Sequence, residues 1–434
     1  MRVLITGATG FIGRRLALAL LARGHELVCA VRSPERLELG PGHWRAVPMD
    51  LAQVPPRSAW REHLAGVDAV VNAVGIIRET PGQGFKALHA RAPAELFRAC
   101  VDTGVPTVVQ VSALGADGQA RSRYHRSKKA ADDALRSLPL KGAIVQPSVV
   151  YGAEGASAAL FNRMAAAPLL ALPQAGRMAL QPVHIDDVVE GLVALLESPP
   201  PELITLPFVG PRKLTMADYL RRLRDALGIA GPLPVLPLPQ WLFLGAAHVA
   251  GRLPGSILDA ETAGMLLRGN AGPVDGLRAL LGRLPREVED FVPPAAREAL
   301  RTSAVLGVWL PVLRVALALM WIWTALVSFG LYPVQGSYEL LAQVGLTGAL
   351  ATLALYGAAT LDLALGVLTL ACPPRWRRAM WLSQIVLIGG YTLLITLFLP
   401  QWWLHPYGPI SKNLPLLAAI GLLWTLEPPP RLRG

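Results

Sequence analysis

After residue 303 the chain becomes a succession of apolar segments, at 311–331, 346–372, 380–399 and 407–426. A helix needs about 20 mostly apolar residues to cross the ~30 Å hydrocarbon layer of a bilayer. The first three segments reach that length easily; Lys412 and Asn413 interrupt the fourth. Inside a bilayer every backbone N–H and C=O must find its partner within the protein, so such segments fold as helices. The expectation is a four-helix transmembrane bundle over 304–434. The charge content agrees, at 16% of residues against about 25% in ordinary soluble domains. Asp362 stands near the middle of the second segment, where an acid costs about 3 kcal/mol on insertion scales. Arg314, His405 and Lys412 are its candidate partners. A quinone, proton or lipid contact and a polar clasp between helices are its two readings.

Charges outside the segments set an expected topology. Arg375, Arg377 and Arg378 lie between the second and third segments, and Arg431 and Arg433 follow the fourth. The loop between the first and second carries only Glu339, and Trp402, Trp403 and Tyr407 gather before the fourth. The excess of arginine on one side places both termini in the cytoplasm, as in a multi-pass inner-membrane protein. Residues 1–6 open directly on a strand-like run with no apolar signal core behind them, which points the same way. The formal charge of +11 comes from scattered arginines. Without a basic run interleaved with aromatics, no nucleic-acid partner is expected. Cys29, Cys100 and Cys372 form neither a CxxC pair nor a metal-binding spacing.

The first 195 residues alternate short β-branched runs (3–6, 26–31, 69–73, 107–111, 143–146) with Ala- and Leu-rich helical stretches. Continuous apolar strands separated by helices predict a doubly wound α/β fold, a parallel sheet covered on both faces. Residues 196–295 are rich in proline, with helical pieces such as 216–227, and read as a smaller substrate-side lobe. Its stretch 241–249 is apolar but too short to span; it is either a buried lobe helix or a surface that meets lipid. The polar stretch 285–303 carries a double proline, and 296–303 are expected as a linker. The predicted domains are thus 1–295 and 304–434.

Thr6-Gly7-Ala8-Thr9-Gly10-Phe11-Ile12-Gly13 follows the first strand and opens a helix. Gly7 permits the tight turn, Gly10 lets the backbone approach a diphosphate, and Gly13 lets helix pack on strand. The helix then presents free N–H groups and a positive dipole end to the phosphates. Thr6, Thr9, Phe11 and Ile12 complete this expected dinucleotide cradle. At the end of the second strand, where an acid would hold the ribose 2′-hydroxyl of NAD, stands Arg32. A guanidinium there pairs with a 2′-phosphate, so NADP(H) is expected over NAD(H).

Tyr124 and Lys128 are four apart and share one face of a helix. A nearby ammonium favours phenolate over phenol, which makes Tyr124 a general acid or base with Lys128 tuning it. Ser112, at the end of a strand, can polarise a substrate carbonyl.

The TGxxGxxG spacing resembles the extended and atypical short-chain dehydrogenase/reductase proteins over about residues 1–295. The resemblance implies that Asp50 and Leu51 contact adenine and that Asn72, Ala73 and Gly75 lie under the cofactor. It also implies that Lys128 bonds the nicotinamide ribose and that Ser112 and Tyr124 flank the reacting carbonyl. Gln146-Pro147 through Tyr151-Gly152 resembles a stretch beside the nicotinamide; Pro147 joins the cofactor residues, while Gln146 stands where the family has arginine. Val183 through Asp187 resembles another family segment; Asp186 and Asp187 are read as a cap for the next helix in preference to metal ligands or acids. Within the family, Ser112 through Ala116 resembles the branch that includes the nucleotide-binding accessory subunit of respiratory complex I. Leu313-Arg314, Leu361-Asp362-Leu363 and His405-Pro406 through Lys412-Asn413-Leu414-Pro415 resemble the DoxX-like four-helix membrane family.

Two functions follow as expectations. The first is an NADP(H)-dependent oxidoreductase that passes hydride to or from a carbonyl or alcohol, with a membrane anchor hinting at a lipophilic substrate. The second is a non-catalytic module that holds NADP(H) for assembly or sensing in a membrane complex. Epimerase or dehydratase chemistry on nucleotide sugars uses the same Tyr and Lys, but the anchor and Arg32 argue against it.

Overall fold

The computed structural model describes residues 1–252 and 259–428. It divides into two compact units, Met1–Val305 and Leu306–Gly434. The first is built on a seven-stranded parallel sheet: β1 (Arg2–Thr6), β2 (Glu26–Val31), β3 (Trp44–Pro48), β4 (Ala69–Asn72), β5 (Thr107–Val111), β6 (Lys141–Pro147) and β7 (Leu203–Phe208). Their order across the sheet is 7-6-5-4-1-2-3, with every neighbouring pair parallel. The chain reverses direction across the sheet between β1 and β4. In open α/β sheets a ligand crevice forms at that switch point, beyond the carboxyl ends of the strands.

The helices of this unit are α1 (Phe11–Ala22), α2 (Arg57–Leu64), α3 (Ala92–Thr103), α4 (Arg123–Arg136), α5 (Ala156–Ala166), α6 (Ile185–Glu197), α7 (Met216–Ala226), α8 (Gln240–Ala250), α9 (Ala260–Arg268) and α10 (Asp275–Leu281). Leu16 and Leu20 of α1 bury against Val188 and Leu192 of α6 on one face of the sheet. Trp60 of α2, Phe97 of α3 and Leu135 of α4 cover the other. Helices cover both faces, which is why a strand such as β2, with residues 27–31 all in the core, reads as an unbroken apolar run.

A third apolar cluster holds Tyr151, Phe161, Leu172, Tyr219, Leu223 and Phe291. The lobe expected at 196–295 therefore draws part of its core from 151–180. In return Leu203–Phe208 leaves it and pairs with β6 along the main sheet. The apolar alternation of these pieces does not reveal which core they join, because that depends on where the chain crosses back. Asp187 in the first turn of α6 ties the lobe's far end down. It is fully buried and accepts from the Arg286 amide at 2.7 Å and from Arg283 and Arg286 at 2.9 and 2.5 Å. The cap of α6 is not an aspartate but His184, which accepts from the Asp186 amide at 3.3 Å.

Helix α11 (Pro294–Leu326) runs unbroken through 296–303, so the expected linker is helical. The double proline sits at its start, where a missing N–H costs nothing. In the second unit follow α12 (Val334–Gln343), α13 (Gly348–Ala371), α14 (Arg377–Phe398) and α15 (Asn413–Leu426). Three stretches, Pro294–Leu331, Gly348–Ala371 and Pro374–Phe398, are long and apolar enough to cross a membrane. The fourth expected span is shorter: α15 has 14 residues, about 21 Å at 1.5 Å per residue. His405 through Lys412 precede it in turns instead of extending it. Trp321, Leu365, Trp381 and Ile420 form the core of this unit. A buried polar clasp crosses it, Trp321 Nε1 donating to Gln384 at 2.9 Å and Gln384 donating to Thr369 at 2.8 Å.

Asp362 is buried on α13, and its Oδ1 has no hydrogen-bond partner among the described residues. None of its three expected partners binds it. Arg314 instead pairs with Glu427 and lies over Trp381, while His405 stacks on Trp402.

Candidate active site

The glycine turn lies at the switch point. Gly7 has φ +78°, and a Cβ there would lie 2.8 Å from the Ala73 carbonyl. A Cβ on Gly13 would collide with the Gly7 carbonyl. Glycine at these two positions is what lets the loop between β1 and α1 close over the end of β4. The Gly10 amide bonds back to Gly7 at 2.8 Å. Gly10 caps α1 with no side-chain bond and no acid in the first turn, whereas Ser122 caps α4 and Thr215 caps α7. The α1 terminus therefore keeps its first-turn N–H groups free of any side-chain acceptor, as a diphosphate requires.

The other expected cofactor residues divide. Thr9 and Gly10 are exposed on the loop; Phe11 and Ile12, half-buried, border a cavity. Arg32 is exposed at the end of β2, with no ion pair among the described residues. Arg14 reaches only the Glu38 carbonyl, at 3.4 Å, and Arg15 is taken by Glu154. Of these cations Arg32 alone stands at the end of β2. Thr6 and Asn72 are instead buried beneath the loop. Thr6 donates to Asn72 at 2.6 Å and Asn72 donates to Gln110 at 2.6 Å, lacing β1, β4 and β5 together. Leu51 is part of the core, and the Asp50 carboxylate accepts from the Ala52 amide at 3.0 Å. Gly75 is exposed, and a Cβ on it would come within 3.1 Å of Lys128 Nζ.

Ser112, Tyr124 and Pro147 meet at the same end of the sheet, bordering a cavity of about 360 Å³. The Ser112 amide continues the ladder from β5 by donating to Val145 at 2.8 Å. Tyr124 sits in the first turn of α4, its ring edge-on to Phe85, His89 and His125. Lys128 is buried one turn further on and donates to the Val74 and Val111 carbonyls, each at 3.0 Å. Those two carbonyls end the segments after β4 and in β5, so the ammonium pins α4 across the crevice.

Burial lowers Lys128 to about 8. The sequence-based expectation that Lys128 draws the Tyr124 phenol down does not hold for this state: burial pushes Tyr124 up to about 12. At neutral pH the tyrosine is a phenol, the form that donates a proton.

Two buried neighbours of this cluster escaped the sequence reading. His89, in the π turn Lys86–Arg91, is pushed down to about 2 by burial and by Lys128. It is therefore neutral. Its Nε2 accepts from the Ile76 amide at 2.9 Å, so Nδ1 carries the proton and donates to Ser127 at 2.9 Å. No sequence spacing signals it. Asp132 is fully buried and accepts the Ser112 hydroxyl at 2.6 Å. Its place, one turn beyond Lys128 on the Tyr124 stripe, is a signal the sequence does carry.

Residues 7–163 match the NAD(P)H-binding family. Ceramide reductase of Caulobacter vibrioides is 32% identical over 255 residues, which cover 56% of this chain and 76% of that protein. The chain belongs to the NAD(P)-binding short-chain dehydrogenase/reductase family. This family domain is also 25% identical over 244 residues to the mouse mitochondrial NADH dehydrogenase [ubiquinone] 1 alpha subcomplex subunit 9, covering 53% of this chain and 63% of that one. Its fold is that of the Escherichia coli NADPH-dependent quinone oxidoreductase solved with NADPH, with TM-score 0.54 and 18% identity over 67% of this chain and 98% of the other. Behind the dehydrogenase/reductase domain, residues 318–421 match the DoxX-like family.

Proposed function

We propose that this protein is a membrane-anchored, NADP(H)-dependent oxidoreductase acting on a carbonyl or alcohol of a lipophilic substrate. The observation that carries the reading is the cavity where Ser112 and Tyr124 meet Phe11 and Ile12 of the uncapped α1 terminus. Leu114, Val149, Leu160, Phe161 and Leu266 make up much of its wall. Such a wall favours an apolar chain beside the reacting carbon.

Gly7, Gly10 and the first turn of α1 would hold the diphosphate, and Arg32 the 2′-phosphate. Bound there, the cofactor supplies hydride chemistry at its nicotinamide. The protein's own part is proton transfer and orientation. Tyr124 donates its phenolic proton to the carbonyl oxygen as that oxygen gains charge; an alkoxide is a stronger base than a phenolate, so the transfer runs downhill even with the phenol raised. Lys128, bonded to the Val74 and Val111 carbonyls, holds α4 and with it Tyr124 in place across the crevice. Ser112 orients the oxygen. The likeness to a ceramide reductase supports an amphiphile with a ketone or secondary alcohol near its head.

The anchor supports the same reading. Arg314 of α11 and Arg377 in the first turn of α14 both face Glu427 after α15 at one end of the second unit, and Arg375 and Arg378 flank Arg377 in the chain. By the positive-inside rule that end faces the cytoplasm, with both termini. Trp402, Trp403 and Tyr407 lie at the opposite end of α14. Arg431 and Arg433, which the sequence reading also used, lie outside the described residues.

The second reading, a module that holds NADP(H) without turnover, is favoured by the likeness to the respiratory-chain subunit and by the raised Tyr124 phenol. Tyr124→Phe separates the two. Turnover should fall by roughly 10²–10⁴, the usual worth of a general acid, with NADPH affinity unchanged. A function that survives this substitution intact would favour the module.

A further inference from the structure

Ser112 has one hydroxyl proton to give. In the structure that proton points away from any substrate: Ser112 Oγ donates to Asp132 Oδ2 at 2.6 Å. Both side chains are buried, Asp132 completely. While the carboxylate is ionised it can only accept, so Ser112 can offer a ligand in the cavity nothing but lone pairs. A substrate carbonyl, itself an acceptor, is not held by such a serine. If Asp132 carries a proton, its own O–H donates to Ser112 Oγ, and the serine proton is free to turn to the carbonyl.

The surroundings of Asp132 make the protonated form accessible. Among the described residues its buried Oδ1 makes no hydrogen bond of ordinary geometry, with the Gln146 amide as its only nearby side-chain donor, and this penalises the charge. The groups facing it are Lys128 and Arg136 on its own helix, Ser112 at the end of β5 and the neutral Gln146 amide on β6. Lys128 is occupied by two backbone carbonyls and Arg136 by Asp133. Burial outweighs these partners and raises the carboxyl to about 6.

We propose that Asp132 is a positioning residue whose proton decides whether the Ser112 hydroxyl donates to or merely accepts from the reacting oxygen. This rests on the reading of Ser112 and Tyr124 as the reducing site. The device needs no new reactant: Asp132 takes up one proton from water and donates it to Ser112 Oγ, the serine keeps its own proton and turns it to the substrate oxygen, and no bond between heavy atoms changes.

Two measurements on the detergent-purified full-length protein test it. The first is the pH profile of kcat/KM for NADPH-dependent reduction of a probe, a ceramide with its secondary alcohol oxidised to the ketone. The wild type should lose rate with rising pH through a limb near pH 6, about tenfold per pH unit as for one titrating proton. That limb should vanish in Asp132→Asn and in Ser112→Ala, because neither retains the titrating pair. Gln146→Arg places a cation beside the carboxylate and should move the limb to lower pH. An Asp132→Asn protein that is slower but keeps the same limb overturns the inference and leaves Asp132 a structural residue. The second measurement needs no turnover. The infrared carbonyl band of a protonated carboxylic acid should titrate in the wild type, be absent in Asp132→Asn, and move to higher pH in Ser112→Ala, which removes the bond that favours the carboxylate. If the probe is not reduced although NADPH binds, the oxidoreductase reading of this site fails, and the infrared titration alone decides the proposal: a band indifferent to Ser112→Ala refutes it.

Discussion

Single residues carry the chemistry, and they differ in how visible they are in sequence. Gly7 and Gly13 are legible because their demand is steric: a Cβ at either position would run into backbone. Tyr124 and Lys128 are legible by spacing, since four residues make one helical turn. What spacing does not show is the electrostatic outcome. Lys128 spends its protons on two carbonyls, and burial of the Tyr124 ring dominates its titration. His89 carries no periodic or compositional mark, because its role depends on a π turn that brings it beside Tyr124. Arg32 is the residue-scale test of cofactor choice. Arg32→Glu should weaken NADPH roughly tenfold or more, the worth of a charge-assisted bond to phosphate, and leave NADH affinity nearly unchanged. Calorimetric titration with both nucleotides reads this directly; equal losses for the two would take Arg32 out of the 2′-phosphate site.

At the scale of elements, the parallel sheet was readable from its uninterrupted apolar strands, and the nucleotide turn from its place after the first of them. The lobe was harder. Its composition, rich in proline, marks a change of architecture but not that Leu203–Phe208 returns to the sheet or that Tyr151 and Phe161 join the lobe core. Long-range pairing of that kind depends on crossover geometry, not on local pattern. The Asp187 clamp belongs to the same class of hidden features: two arginines almost a hundred residues downstream converge on one buried carboxylate. Asp187→Ala leaves Arg283 and Arg286 partly exposed, so the loss should be nearer 2 kcal/mol than the roughly 3–5 kcal/mol of a fully buried pair. Thermal unfolding in detergent, monitored through the first unit, should show a midpoint lower by a few degrees. An unchanged midpoint would mean that the clamp is not a fastening of the lobe.

For the whole molecule, the change in composition after residue 303 set off the apolar part, and the glycine turn marked the rest as nucleotide-binding. The second division proved less regular than four equal segments. One helix runs through the expected linker, a short helix α12 precedes the second span, and α15 is too short to cross a bilayer of ordinary thickness by itself. Length counted along apolar residues overestimates a span when turns intervene, as they do from His405 to Lys412. On the function proposed above, such an anchor would keep the reductase-family domain close to substrates that seldom leave the membrane, in keeping with the apolar cavity around Ser112 and Tyr124. The central claim is hydride transfer in that cavity. Its most direct measurement is a single turnover of the detergent-purified protein with NADPH deuterated at nicotinamide C4 and the ketone form of ceramide in mixed micelles, followed by mass spectrometry of the lipid. The account predicts one deuterium on the carbinol carbon from the wild type and none from Tyr124→Phe. Tight binding of NADPH with no deuterium reaching this lipid or any other carbonyl lipid offered would contradict it.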